Sequence, residues 1–142
     1  MDNNFVAKAE ININASKAKV WDALINPVMI KKYFFGTDCT SDWKAGSKIS
    51  FRGVWDGKEY EDKGNILKIE PEKYLEYNYW SSFSGTQDVP ENYAIVTYSL
   101  SNESGFTKLT ITQDSVPNED SKKHSEENWK MVLEGLKKLL EE

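Results

Sequence analysis

Apolar and polar residues alternate over the first stretch of the chain, at Phe5, Ala7, Ala9, Ile11 and Ile13, which is the period of a half-buried strand. Asn14-Ala15-Ser16 then offers side-chain oxygens for a helix cap, and Val20, Trp21, Leu24 and Ile25 recur at helical spacing. Asn26-Pro27 ends that helix and opens another, because Pro fits a first helical position but not an interior. Met29, Ile30, Tyr33 and Phe34 give this second, short helix its apolar face, and Gly36 stops it.

From Trp43-Lys44-Ala45-Gly46, a turn, the period becomes two. Ile49, Phe51 and Gly53 alternate up to Asp56-Gly57, a strong hairpin signal. The next strand runs from about Glu59 to Ile69, with Gly64 marking a bulge or tight bend. After Glu70-Pro71-Glu72-Lys73, Leu75, Tyr77 and Tyr79 alternate with Glu76 and Asn78. Ser81–Asn92 is rich in Ser, Gly, Asp and Pro and reads as a loop long enough to rim a pocket. Two further strands carry Ala94, Val96, Tyr98 and Leu100, then Leu109, Ile111 and Gln113, separated by the turn Asn102-Glu103-Ser104-Gly105.

The last element is a long helix, entered after Val116-Pro117-Asn118. Trp129, Val132, Leu133, Leu136, Leu139 and Leu140 recur at three- and four-residue spacing, with Glu and Lys opposite. Gly135 sits inside it at a cost of about 1 kcal/mol relative to Ala, which implies close contact with the sheet or room for something between the layers. Consecutive hairpin-linked strands with helices segregated from them predict an α+β fold: about six antiparallel strands, two short helices after the first, and a terminal helix. Residues 1–142 read as a single domain.

Charge and composition narrow the function classes. The formal net charge is −5, and every basic residue except Arg52 is Lys, so no arginine-rich basic stripe is offered to nucleic acid. A lone cysteine, Cys39, allows no internal disulfide and suits a reducing compartment. No apolar run approaches the roughly 18 residues that span a bilayer, and no signal-like segment opens the chain, so a cytoplasmic location is expected.

The residues also carry a resemblance. Val20-Trp21-Asp22-Ala23-Leu24, then Asn26-Pro27, then Tyr33-Phe34 resembles the opening signature of the SRPBCC (START-like, Bet v 1-like) superfamily. Gly46, Gly64 before Ile66 and Ile69, Glu70-Pro71, Leu75 with Tyr77, Leu109-Thr110-Ile111-Thr112, and Asn128-Trp129 followed by Leu133 and Leu136 are similar to the activator of Hsp90 ATPase homologue 1-like family within it. The resemblance covers nearly the whole chain and implies a helix-grip fold, in which a curved sheet wraps the terminal helix around a cavity. It departs at Tyr33-Phe34, where many relatives have Trp-Phe. The change adds a hydroxyl, expected on the pocket side.

Candidate chemistry is sparse. His124, the only histidine, lies in the polar stretch Ser121–Asn128 and reads as a solvated surface residue. Cys39 follows a carboxylate, Asp38, which works against a reactive thiolate. Glu59, Glu61 and Asp62 read as a solvated strand edge, with Tyr60 and Asp62 on the opposite face from Glu59 and Glu61. Arg52 is expected on the outer face beside an acid. One His and one Cys make no typical zinc set, and no glycine-rich phosphate loop is present. Neither a catalytic residue, a metal site nor a cofactor is therefore assigned.

The aromatics remain: five Trp, seven Tyr and six Phe, more ring surface than a core of this size needs. By register, Phe51, Tyr77, Tyr79, Tyr98 and Gln113 point inward, faced by Trp129 and Val132 or Leu133 from the helix and by Tyr33 and Phe34 from the short one, with Trp55 and Trp80 near the mouth. Three inward phenols beside Gln113 each need a hydrogen-bond partner, which a ligand would supply. The expected function is non-catalytic binding of a small hydrophobic, aromatic or lipid-like molecule between sheet and helix. What the resemblance implies besides is a chaperone partner, through stimulation of an Hsp90-type ATPase, or a polyketide cyclase- or hydrolase-like enzyme.

Overall fold

A computed structural model describes residues 5–34, 36–55, 57–81, 87–103, 105–116 and 118–141, except for the side chains of Trp55 and Glu103. Asp56, residues 82–86 of the rim loop, Ser104 and Pro117, all named above, lie outside the described residues.

The first strand, β1 (Phe5–Ile13), is followed by two short helices, α1 (Lys17–Ile25) and α2 (Pro27–Tyr33). The Ser16 hydroxyl accepts from the Lys19 backbone N–H, and the Asn26 side chain accepts from Val28, so each helix begins on its own side-chain cap. There follow β2 (Asp38–Ser41), β3 (Lys48–Trp55), β4 (Lys58–Glu70), β5 (Tyr74–Ser81), a single 3-10 turn at Pro90–Asn92, β6 (Ala94–Glu103), β7 (Phe106–Val116) and α3 (Glu119–Glu141).

The sheet has seven strands rather than six, in the order β1-β7-β6-β5-β4-β3-β2, all antiparallel. The additional strand is β2, four residues on the outer edge of β3, too short to display an alternation. The chain thus crosses from one sheet edge to the other through α1 and α2, then returns as a continuous meander.

The curved sheet wraps α3, as a helix-grip fold does. Asn118 caps this helix, its side chain accepting from Ser121. Glu126 and Glu141 accept from the backbone N–H groups of Lys8 and Asn14, and the Lys137 ammonium donates to the Asn12 carbonyl. The helix therefore covers the open edge of β1 with polar contacts, which keeps a strand edge from pairing elsewhere. No helix among the described residues is long and apolar enough to cross a membrane.

Two glycines explain local geometry. At Gly64 an added Cβ would lie 1.7 Å from the Asn78 carbonyl oxygen, so only a bare Cα lets β4 and β5 approach here. The actual register shift comes slightly later, between Ile66 and Lys68. At Gly135 a Cβ would meet Tyr33 at an ordinary 3.5 Å, so this glycine faces α2 rather than the sheet and is not forced by crowding.

Candidate functional site

The concave face is built by alternation. β3 offers Ile49 and Phe51, β5 offers Leu75, Tyr77 and Tyr79, β6 offers Val96 and Tyr98, and β7 offers Leu109, Ile111 and Gln113. Against one half of this face α3 lays Leu133, Leu136 and Leu140, all nearly fully buried. Against the other half the same helix presents His124, Ser125, Asn128, Trp129 and Val132, and there a cavity of about 570 Å³ remains.

Aromatic rings separate the two halves. Phe34 stacks on Phe51 at 5.7 Å, Phe51 tilts on Tyr77 at 5.7 Å, and Tyr77 meets Tyr98 edge-on at 5.7 Å. Tyr98 meets Trp129 at 6.1 Å and Trp129 returns to Phe34 at 5.9 Å, both edge to face. All five separations lie in the favourable range for ring pairs, each worth about 0.5–1.5 kcal/mol beyond its buried area. The circuit closes on itself, which holds these rings in one arrangement.

The structure places the expected residues as follows. Phe34, Phe51, Tyr77, Tyr79, Gln113 and Trp129 border the cavity. Tyr33, Tyr98 and Leu133 do not; they belong to the sealed core, at 8%, 6% and 1% exposure. The side chain of Trp55 lies outside the described residues. Tyr33 turns its hydroxyl away from the cavity and donates to the Ala23 carbonyl at 2.8 Å, tying α2 to α1.

The tyrosines largely satisfy one another, contrary to the expectation that a ligand must do so. The Tyr77 and Tyr98 hydroxyls share a 3.0 Å hydrogen bond. The Trp129 indole N–H donates to Gln113 Oε1 at 2.9 Å, and Gln113 also bonds Tyr79. Burial holds the Tyr77 and Tyr98 phenols well above their usual titration range, so both stay neutral. Tyr79 is pushed up to about 12, by burial first, then by the negative charge of Asp62, with the Gln113 bond opposing both.

That charge is what the sequence pattern did not reveal. Asp62 is not on a solvated edge: its face of β4 pairs with Phe51 on one side and Ser81 on the other, and it borders the cavity. Its Oδ1 is buried without a hydrogen-bond partner among the described residues. Burial raises its pKa above the ordinary carboxylate value, and a hydrogen bond with Ser81 partly offsets this. The signal was present in the sequence, where Asp56-Gly57 predicts a two-residue hairpin, and the strands pair accordingly: 55 with 58, 53 with 60 and 51 with 62. An inward Phe51 therefore requires an inward Asp62.

Tyr60, two residues earlier on the same face, lies over Gly53 and shares a hydrogen bond with the buried Thr37 hydroxyl at 2.5 Å. Val54, Ser81, His124, Ser125, Asn128, Met131 and Val132 complete the wall. His124 is exposed, as its polar surroundings in the sequence imply, yet stands on the cavity rim. Arg52 points outward to Glu61 at 2.9 Å. Cys39 is buried, and burial pushes its thiol up to about 12, which leaves it unreactive near neutrality.

A curved antiparallel sheet gripping a terminal helix, with a ring-walled cavity on the concave side, defines a START-like helix-grip protein. Residues 14–141 match the family described as activator of Hsp90 ATPase homolog 1-like protein, and the chain belongs to that family. It is similar to ChR145 from Cytophaga hutchinsonii, known from a solution structure, with 47% identity over 99% of this chain and 97% of that one and a TM-score of 0.86. It shares the fold of the Aha1 dimer from Colwellia psychrerythraea, with 21% identity, 96% coverage of each chain and a TM-score of 0.74. It also shares the fold of DynU16, a protein of the dynemicin biosynthetic locus, with 18% identity over 99% of this chain and 48% of that one and a TM-score of 0.79. No curated protein matches the chain.

Proposed function

We propose that this protein binds a small hydrophobic or aromatic molecule in the cavity between the sheet and the N-terminal half of α3, without transforming it. The observation that carries this reading is a cavity of about 570 Å³, walled by Phe34, Phe51, Tyr77, Tyr79 and Trp129, with Asp62, Ser81 and Gln113 converging at one side. Its size and its pairing of apolar walls with a few placed polar groups are those of small-molecule sites. The ring circuit prearranges the wall, so little side-chain ordering opposes binding.

A cyclase- or hydrolase-like reaction, a third expectation, needs a positioned proton-transfer group. Asp62 is an inward acid that the sequence pattern had assigned to the surface. Among the described residues the remaining polar lining groups are hydroxyls and amides, with His124 exposed at the rim, so no second carboxylate or buried histidine stands beside Asp62 and binding is the better-supported function.

The test is titration with N-phenyl-1-naphthylamine, a neutral fluorescent probe. The expected result is a saturable, one-site rise in probe emission that is lost in Ser125→Trp, whose ring fills the mouth from the helix side. Absence of saturable binding, or binding unaffected by that substitution, removes the proposal.

The family description supports a second reading, stimulation of an Hsp90-type ATPase. ATPase rates of a cognate chaperone with and without this protein decide it, and an unchanged rate eliminates it.

A further inference from the structure

We propose, resting on the binding reading above, that the cavity selects by charge: its ligand is an apolar or aromatic molecule bearing a protonated amine, and Asp62 is the counter-ion.

Placement comes first. Asp62 stands in a cross-strand row with Phe51 and Ser81 on the concave face, so its carboxylate is delivered to the cavity by strand register. Gly64, two residues on, lets β4 close against β5 and brings that row beside Tyr79. A carboxylate accepts about four hydrogen bonds. Ser81 supplies one, and Oδ1 has none among the described residues although it is buried. Leaving such an atom unpaired is costly, and an N–H donor from a ligand removes the cost.

Charge is the second observation. Among the described residues no Lys or Arg lines the cavity. Two neighbouring cations, Lys63 next in the chain and Arg52 across the strand pair, point the other way and are engaged there. Arg52 bonds Glu61 at 2.9 Å, and Lys63 bonds Asp88 at 2.5 Å while lying 5.9 Å from the Trp80 ring centre. Among the described residues the cavity therefore presents one carboxylate and no lysine or arginine, His124 being confined to the exposed rim. A fatty acid or other carboxylate would meet Asp62 as a like charge.

The walls point the same way. Phe34, Phe51, Tyr77, Tyr79 and Trp129 line the cavity with aromatic rings, a residue type that attracts cations as well as apolar groups. The chain's net charge of −5 also favours the approach of a cation over an anion.

Three naphthyl compounds of similar size test this by displacing bound N-phenyl-1-naphthylamine: 2-(1-naphthyl)ethylamine, 2-(1-naphthyl)ethanol and 1-naphthylacetic acid. The expected order is amine, alcohol, acid, with the amine at least tenfold tighter than the acid. In Asp62→Asn, checked for folding by thermal melting, the amine's advantage over the alcohol should fall to within twofold. If the neutral probe and the alcohol bind while the amine gains nothing, charge selection is wrong and the binding reading stands. Charge selection is equally wrong if the acid binds as tightly as the amine, or if Asp62→Asn leaves the order intact. If no naphthyl compound binds at all, both proposals fall together.

Discussion

The two halves of the concave face are made from the same strands yet end in opposite states. Under α2, Leu75, Tyr33 and Tyr98 pack until the space left is about 10 Å³, at the lower limit of what one water needs, and the C-terminal part of α3 adds the buried Leu133, Leu136 and Leu140. Under the N-terminal part, the neighbouring positions Tyr79, Ser81, Asp62 and Gln113 border about 570 Å³. The strands alternate equally well in both. The helix makes the difference, because its leucines begin only at Leu133, and its earlier turns bring His124, Ser125 and Asn128 to the sheet. Helix turns that bring only polar side chains inward ahead of Trp129 leave the sheet's curvature unfilled.

Both halves depend most heavily on the place where β4 meets β5. Gly64→Ala places a methyl 1.7 Å from a backbone oxygen that cannot retreat without parting the strands. We expect a loss of about 4 kcal/mol or more, read by urea unfolding, with both halves disrupted together.

Neighbouring residues on α3 then separate the halves. Leu133→Ala, in the sealed half, should cost about 3 kcal/mol, because its surroundings cannot collapse. Val132→Ala, on the cavity wall, should cost about half as much, since the space beside it is already open. Equal costs for the two would contradict a sealed half and an open one.

At Asp62 the sign of the effect reverses. Asp62→Asn removes a charge whose Oδ1 is buried and unpaired among the described residues, so at neutral pH the variant should be more stable, by about 1 kcal/mol. The folded-state pKa of Asp62 lies above its ordinary 3.8. The folded protein therefore holds this proton more tightly, and the associated stability is full below about 3.8 and lost as pH rises through the raised value. The advantage of Asp62→Asn should accordingly shrink toward zero below pH 4, measured as the difference in melting temperature across a pH series.

The smallest effect is expected at Gly135, where an added methyl meets Tyr33 at 3.5 Å. Gly135→Ala should gain up to about 1 kcal/mol from helix propensity alone. A loss instead would show that the α2–α3 contact is tighter than this distance implies.

Most of the fold was legible because its signals are local. Two capped helices, the Asp56-Gly57 turn and the Trp129–Leu140 stripe each declare themselves within a few residues. β2 escaped because an edge strand of four residues, Asp38–Ser41, has no room to show a period. The cavity was harder to read, since a filled and an unfilled concave face share one alternation. Tyr33, Tyr98 and Leu133 were expected at the cavity and lie in the core, because register along the strand and angle around the helix decide depth only once the layers are docked. Asp62 was misjudged for a different reason: three acids close together suggest a solvated edge, although the hairpin register had already turned one of them inward.

The proposed function requires the cavity to be a binding site. The most direct measurement is the indole N–H resonance of Trp129, assigned with Trp129→Phe, during titration with N-phenyl-1-naphthylamine. That proton donates to Gln113 on the cavity wall, so occupation must disturb it. A binding cavity predicts a saturable shift that follows the fluorescence isotherm and disappears in Ser125→Trp. A resonance that stays fixed through the titration would contradict it.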